Sequence, residues 1–355
     1  MDDAASAPVL PEVAIALRDV PAGNASSPHT EGRAARAALD RARDVAAAAL
    51  GAQRLEVTFV SSGTEAVNLA LFGVGGPLVT WAAEHQSVLG AARRMQSLGR
   101  DVVIAPVDPF ARADLDAIKR GTALVSIGLA NNEVGTIQPV AEAIERAHDV
   151  GALVHVDACA GPRWIGIPEG ADLVSISGHK LGAGRGGLLL VRDGVRIDPL
   201  LFGGPQEWGR RAGYEDIAAS VAVATALAVA AHEREAKATT ARRQARVLRE
   251  TLEDLGGFVT GSDERLPNFA TCTFADRKGE DMLLALDLAG VAASSGSACA
   301  SGSLDPSHVL LATGLSLEQS LGSLRLTTGY DTTDDDIERA TGILRAVLER
   351  APSHA

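Results

Sequence analysis

The chain has 355 residues, enough for two domains, and an ordinary globular mix of 46% apolar and 22% charged residues. A formal charge of −12 with no local basic patch argues against a nucleic-acid partner. Its three cysteines, Cys159, Cys272 and Cys299, form no CxxC spacing, so neither a disulfide framework nor a zinc site is suggested, which fits a reducing compartment.

MDDAASAPVLPEV has no basic leader and no long apolar run, and no other segment reaches about 18 apolar residues without charge or glycine. The expectation is a soluble, cytoplasmic protein with no membrane partner. Residues 31–50 are Ala-rich at helical spacing, with Gly51 as the stop. LEVTFV (55–60) reads as a strand, SSGT as a turn and EAVNLALFGV as a helix. The apolar runs PLVTWA, DVVIAPV, ALVSIGLA, ALVHVDA, DLVSISG and GGLLLVR then alternate with helical stretches, the pattern of a mostly parallel α/β sheet. Residues 215–256 read as helix. NFATCTF and GVAASS read as strands around the helix GEDMLLALDLA, with further helices near 306–313 and 333–349. Asp305-Pro306 before SHVLLAT, closed by Gly314, reads as cap, first-turn proline and stop. The expected division is a large α/β domain over 13–235 and a smaller α+β domain over 236–355, joined by residues 1–12.

Sheets of this kind carry their chemistry at the carboxyl ends of their strands. ALVHVDA puts Asp157 at such an end, and DLVSISGHK puts Ser177, His179 and Lys180 at another. A carboxylate and a lysine so placed suggest pyridoxal phosphate, which needs a lysine for its Schiff base and an acid at its pyridine nitrogen. FVSSGTEAVNLAL adds a helix start at which the Gly63 and Thr64 N–H groups point to an anion, with Ser177 and His179 as further donors. The same turn would also serve as an ordinary helix start capped by Thr64. His85 in AAEHQSVL is placed to stack on the ring and carry a proton, and Asn131 or Asn132 in ANNEVG to bond its phenolic oxygen. GAGRGG (182–187) has the dinucleotide spacing but precedes a strand instead of opening a helix, so it carries little weight.

The ordered set SSGTEAVN, EHQSVL, NNEVGTIQP, HVDA, SISGHK, GGPQEWGRRAG, SSGSACASGSLDPSH and LRLTTG resembles the cysteine desulfurases of the NifS/IscS-like group, within the class V, fold type I pyridoxal-phosphate enzymes. The resemblance implies a homodimer in which Lys180 binds the cofactor, Asp157 pairs with the ring nitrogen and His85 stacks on it. It further implies that Gly63, Thr64, Ser177 and His179 hold the phosphate, that Asn132 bonds the phenolic oxygen, and that Arg325 clamps the substrate carboxylate. Cys299, in its Gly/Ser loop, would take sulfur from L-cysteine as a persulfide, release alanine and pass the sulfur to an acceptor protein. Cys159 and Cys272 are expected to be packing residues.

The sequence departs from the family at four places. Ala160 stands where a glutamine is usual. Tyr214 replaces a threonine that reaches the partner subunit's phosphate. Glu207-Trp208 replaces an E-R pair, and FGVGGPLVT is short. Two alternatives stay open at this stage: another C–S or C–Se lyase, such as a selenocysteine lyase, and a non-catalytic subunit that docks a sulfur carrier.

Overall fold

Short runs of Val, Leu and Ile become strands here because both of their faces can be covered by helices, so no polar alternation is needed. A computed structural model of the chain describes residues 1–296 and 306–349. In chain order the strands are β1 (Val57–Val60), β2 (Leu78–Trp81), β3 (Val102–Ala105), β4 (Leu124–Gly128), β5 (Leu153–Asp157), β6 (Leu173–Ser177), β7 (Gly187–Val191), β8 (Phe258–Val259), β9 (Phe269–Thr273) and β10 (Ser323–Thr327).

Seven of them form one sheet in the order β1-β7-β6-β5-β4-β2-β3. β3, β2, β4, β5 and β6 run parallel, while β7 is antiparallel to both β6 and β1. The chain is therefore α/β with a mostly parallel sheet. One face packs against helices Thr30–Ala49, Val140–Asp149 and the first half of Ile217–Asp254. The other packs against Gly63–Gly73 and Gln86–Ser97. The register sets Gly128 beside Asp157, and Asp157 beside Ser175, so the carboxyl ends of β4, β5 and β6 are neighbours.

β8, β9 and β10 form a separate antiparallel sheet. Its core holds Cys272, Phe274, Met282, Leu286, Leu324 and Leu344. Helix Ile217–Asp254 runs through both regions, so the expected division at 235/236 falls inside it. Among the described residues it is the one helix long and apolar enough to cross a membrane, yet Ala222, Val223, Ala226 and Leu227 on it are buried in the core. The first residues strap the two regions together. The Thr327 N–H donates to the Met1 carbonyl (2.9 Å), while Ala7 and Leu10 N–H donate to the His179 (3.0 Å) and Gly182 (2.9 Å) carbonyls.

Three local expectations are corrected. GVAASS forms no strand: Ser294 makes a single bridge to Arg325 before Gly296 turns the chain at φ 86°. The helix near 306 is His308–Ala312 and is capped by Ser307, whose Oγ accepts the Leu310 N–H at 3.1 Å; Asp305 lies outside the described residues. The helix at 63 is capped by Ser62 instead of Thr64.

Candidate active site

The carboxyl ends of β4, β5 and β6 open into a cavity of about 280 Å³. Gly63, Thr64, His85, Asn132, Asp157, Ser177, His179, Lys180 and Arg325 all line it. Asp157, the last residue of β5, is buried, and its Oδ1 accepts the Cys159 N–H at 3.0 Å. After β6 the chain makes a four-residue helix, Gly178–Leu181, that swings Lys180 back over the strand end. Two glycines permit this turn. A Cβ on Gly178 would stand 2.3 Å from the Arg185 carbonyl oxygen, and Gly182 ends the helix at φ 85°. Among the described residues no hydrogen bond or ion pair engages the Lys180 ammonium.

Helix Gly63–Gly73 points its N-terminus into the same cavity. A Cβ on Gly63 would lie 2.5 Å from Cys159 Sγ and 2.9 Å from Ser177 Cβ, so only glycine lets this helix end close on β5 and β6. Ser177 Oγ lies 2.8 Å from His179 Nδ1. Burial, then the nearby Lys180 charge, push the His179 imidazole below its usual pKa and favour the neutral ring.

His85 caps helix Gln86–Ser97. Its Nδ1 accepts the Ser87 N–H at 3.1 Å, which places the neutral ring's proton on Nε2. Ser87 Oγ also lies 2.8 Å from Nδ1. Burial, then Lys180, hold the His85 pKa below the ordinary imidazole value.

Arg325 of β10 is almost wholly buried. Its Nη1 donates to the Asn132 carbonyl (2.7 Å), and Nη2 pairs with Asp2 Oδ1 (3.0 Å). Each Nη carries a second hydrogen, so the fork still has donors for a carboxylate. Asn131 is committed elsewhere: its amide donates to the Ala83 carbonyl and accepts the Glu133 and Val134 N–H groups.

Several residues of the site were not read from the sequence. Glu84 lines the cavity and accepts the Gly128 N–H at 3.0 Å; burial, with repulsion from Asp157, pushes its carboxyl up to about 8. Its signal was its place beside His85. Asp2 carried no local signal, since its partner lies at the other end of the chain. Cys159 is no simple packing residue: it stands in the cavity wall between Gly63 and Asp157, where burial and the Asp157 carboxylate raise its thiol pKa well above normal. Cys272 is buried in the small core, as expected.

Tyr214 does not line this cavity. It is exposed, and its hydroxyl donates to the Gly23 carbonyl at 3.0 Å. Cys299 lies outside the described residues. Glu207 and Trp208 both adopt positive φ, 47° and 61°. There Glu207 closes on the buried Arg43 (2.6 and 2.8 Å), whose guanidinium lies over the Phe59 and Trp208 rings at 5.1 and 5.3 Å.

The cavity fits pyridoxal phosphate. It offers an unengaged amine at Lys180, a buried acid at Asp157 and a helix N-terminus whose first residue admits no side chain.

The profile of the family Aminotransferase class-V matches residues 1–340. Cysteine desulfurase IscS 1 of Archaeoglobus fulgidus is 38% identical over 348 residues, covering 93% of this chain and 91% of that one. Cysteine desulfurase IscS of Dictyoglomus turgidum is 37% identical over 373 residues, covering 99% and 94%. Among solved structures, a NifS-like protein superposes with a TM-score of 0.90 at 28% identity over 98% of both chains. DndA from Streptomyces lividans superposes at 0.77 and 30% identity, over 90% of this chain and 96% of its own. Together with the cavity at the ends of β4, β5 and β6, these likenesses place the chain in the class-V aminotransferase family.

Proposed function

We propose that the protein is a cysteine desulfurase that converts L-cysteine to L-alanine and passes the sulfur, through a persulfide on Cys299, to an acceptor protein. The observation that carries this reading is the meeting of Lys180, Asp157, His85 and Arg325, from four distant stretches, in one cavity. Pyridoxal phosphate, held at Lys180, would supply an electron sink for the substrate's α-carbon. Asp157 would hold a proton at the cofactor's ring nitrogen, Gly63, Thr64, Ser177 and His179 would hold its phosphate, His85 would stack on the ring and Asn132 would bond its phenolic oxygen.

Arg325 takes the substrate carboxylate on its two remaining Nη hydrogens and so aims the side-chain sulfur. The Cys299 thiolate attacks that sulfur. A new S–S bond forms, the substrate Cβ–S bond breaks with its electron pair left on carbon, and a proton completes the methyl group of alanine. His85 Nε2 carries protons during the cycle. In place of the acceptor protein, two molecules of an external thiol reduce the persulfide, leaving together as a disulfide, releasing sulfide and restoring Cys299.

A homodimer fits the same reading. Phe202 is 87% exposed, and Leu201, Trp208 and Tyr214 are also open. Tyr214 would then serve the phosphate site of the second copy, in the role that a threonine usually fills.

The test is L-cysteine with a reductant, quantifying alanine and sulfide for wild type and Cys299→Ser. Equal alanine and sulfide, lost in the variant, is the expected result. Undiminished products from Cys299→Ser would refute the nucleophile. Sulfide with pyruvate in place of alanine would favour a β-eliminating lyase.

A further inference from the structure

Glu133 has no part in the chemistry above, yet it is among the most connected buried groups near the cavity. It is 6% exposed and follows the Asn131-Asn132 turn. Asn131 holds it in place by accepting its N–H at 2.9 Å while donating to the Ala83 carbonyl at 2.8 Å. The Ser307 hydroxyl donates to Glu133 Oε2. Gly296, at φ 86°, lies beside the same oxygen: a Cβ there would stand 3.2 Å from Oε2. His308 Nδ1 lies 3.7 Å from Oε1, and His308 Nε2 reaches the Glu84 carbonyl at 2.9 Å, one residue before His85. A carbonyl accepts only, so Nε2 carries a hydrogen. Nδ1 and the carboxyl then face each other with a favourable contact only if one of them also holds a proton. Burial raises the Glu133 carboxyl pKa, against the pull of Ser307, His308, Arg325 and Lys180.

The sequence positions give this cluster its meaning. Gly296 and Ser307 stand on opposite sides of residues 297–305, which include Cys299. One carboxyl therefore lies beside Gly296 before that segment and bonds Ser307 after it, and His308 links Ser307's side to the turn that carries His85. Ser307 is also the cap of helix His308–Ala312, so the hydroxyl that starts this helix is the one that Glu133 holds.

We propose that Glu133 and His308 are positioning residues for Cys299, a carboxyl–imidazole pair that fixes Gly296 and Ser307, the residues flanking 297–305, beside the turn that carries His85. The proposal rests on the desulfurase reading above. Neither residue touches a reacting atom; they act through the placement of the two chain ends. Misplacing a reacting atom by about 1 Å costs on the order of 100-fold in rate, so a loosened anchor should appear in sulfur transfer ahead of substrate binding.

The test compares holoenzyme of wild type, Cys299→Ser, Glu133→Gln and His308→Ala. Glu133→Gln keeps the size of the side chain and an acceptor for Ser307 while it removes the titratable carboxyl that faces His308 Nδ1. His308→Ala cuts the link to the Glu84 carbonyl from the other side. Three readouts are taken: L-alanine titrated against the absorbance of the bound cofactor, alanine formed from L-cysteine in one turnover, and persulfide on Cys299 by mass spectrometry. The expected result is L-alanine affinity within about 2-fold of wild type for both variants, with single-turnover alanine and persulfide formation slowed about 10- to 100-fold. Single-turnover rates within about 2-fold of wild type in both variants would overturn the proposal. So would a parallel loss of L-alanine binding, since the pair would then shape the whole cavity. If Cys299→Ser forms alanine as fast as wild type, the desulfurase reading itself fails and this inference falls with it; that outcome is read from those two proteins alone.

Discussion

Two buried arginines divide this molecule between structure and chemistry. Arg43 and Arg325 are both nearly inaccessible, and in both the Nε hydrogen has no partner. Arg43 meets both oxygens of an equally buried carboxylate, Glu207, and its guanidinium lies over the Phe59 and Trp208 rings. Its Nη1 also donates to the Val57 carbonyl at 2.7 Å. Arg325 meets one oxygen of the partly exposed Asp2 and one backbone carbonyl, and it lines the cavity. The difference shows how a buried cation is made structural or functional. Arg43 is closed by a two-pronged pair on a carboxylate as buried as itself, whereas the single contacts of Arg325 leave donors for an incoming anion.

The largest effect expected from this contrast is on stability. Glu207→Ala would strand the Arg43 charge in the core and lower the free energy of unfolding by about 3–5 kcal/mol. Denaturant unfolding measures this, and a loss below 1 kcal/mol would remove the structural half of the comparison. Next comes Arg325→Lys, which keeps charge and loses the fork. It should raise KM for L-cysteine about 10- to 100-fold, equivalent to about 1.4–3 kcal/mol, with unfolding little changed. An unchanged KM would show that another group holds the substrate carboxylate.

Glu84 sharpens the comparison as a buried carboxyl with no arginine. Its folded pKa of about 8 lies above the ordinary 4.5, so the folded state keeps a proton that the unfolded chain releases. Its contribution is fully present below about pH 4.5 and falls by about 1.4 kcal/mol per pH unit as the pH rises towards 8. His155, held between Ser126 and Ser175 and lowered from 6.5 to about 4 by burial, acts in the opposite sense below pH 6.5. Glu84 is therefore best isolated between pH 6.5 and 8. Glu84→Gln should flatten the fall in stability over that window, and an unaltered slope would show that Glu84 ionises normally. The smallest effect is that of Trp208→Ala, which removes one of the two rings that the Arg43 guanidinium lies over and should cost about 0.5–1 kcal/mol in the same unfolding assay.

Much of the cavity was legible in the sequence because its parts are local. Asp157 and Ser177 end buried strands, His179 and Lys180 follow within three residues, and strand ends are where a parallel sheet exposes polar groups. The helix at Gly63 was legible for the same reason, although its cap is Ser62. GVAASS misled because its apolar content resembles a strand, while only Ser294 pairs before Gly296 turns the chain. Cys159 misled because a thiol between apolar residues gives no sign that a glycine from another helix presses on it.

The sequence by itself determined the mostly parallel sheet and the order of the strand-end motifs, since these are written in short windows of the chain, and the ordered motifs carried the resemblance to the family. Only the tertiary structure decided which charges meet. Asp2 and Arg325 are 323 residues apart, Glu133 and Ser307 are 174 apart, and Arg43 and Glu207 are 164 apart. No local pattern encodes such pairs. Each forms because the folded chain closes around it, removes the water that would otherwise solvate the charge, and makes a distant partner the only remaining way to satisfy it.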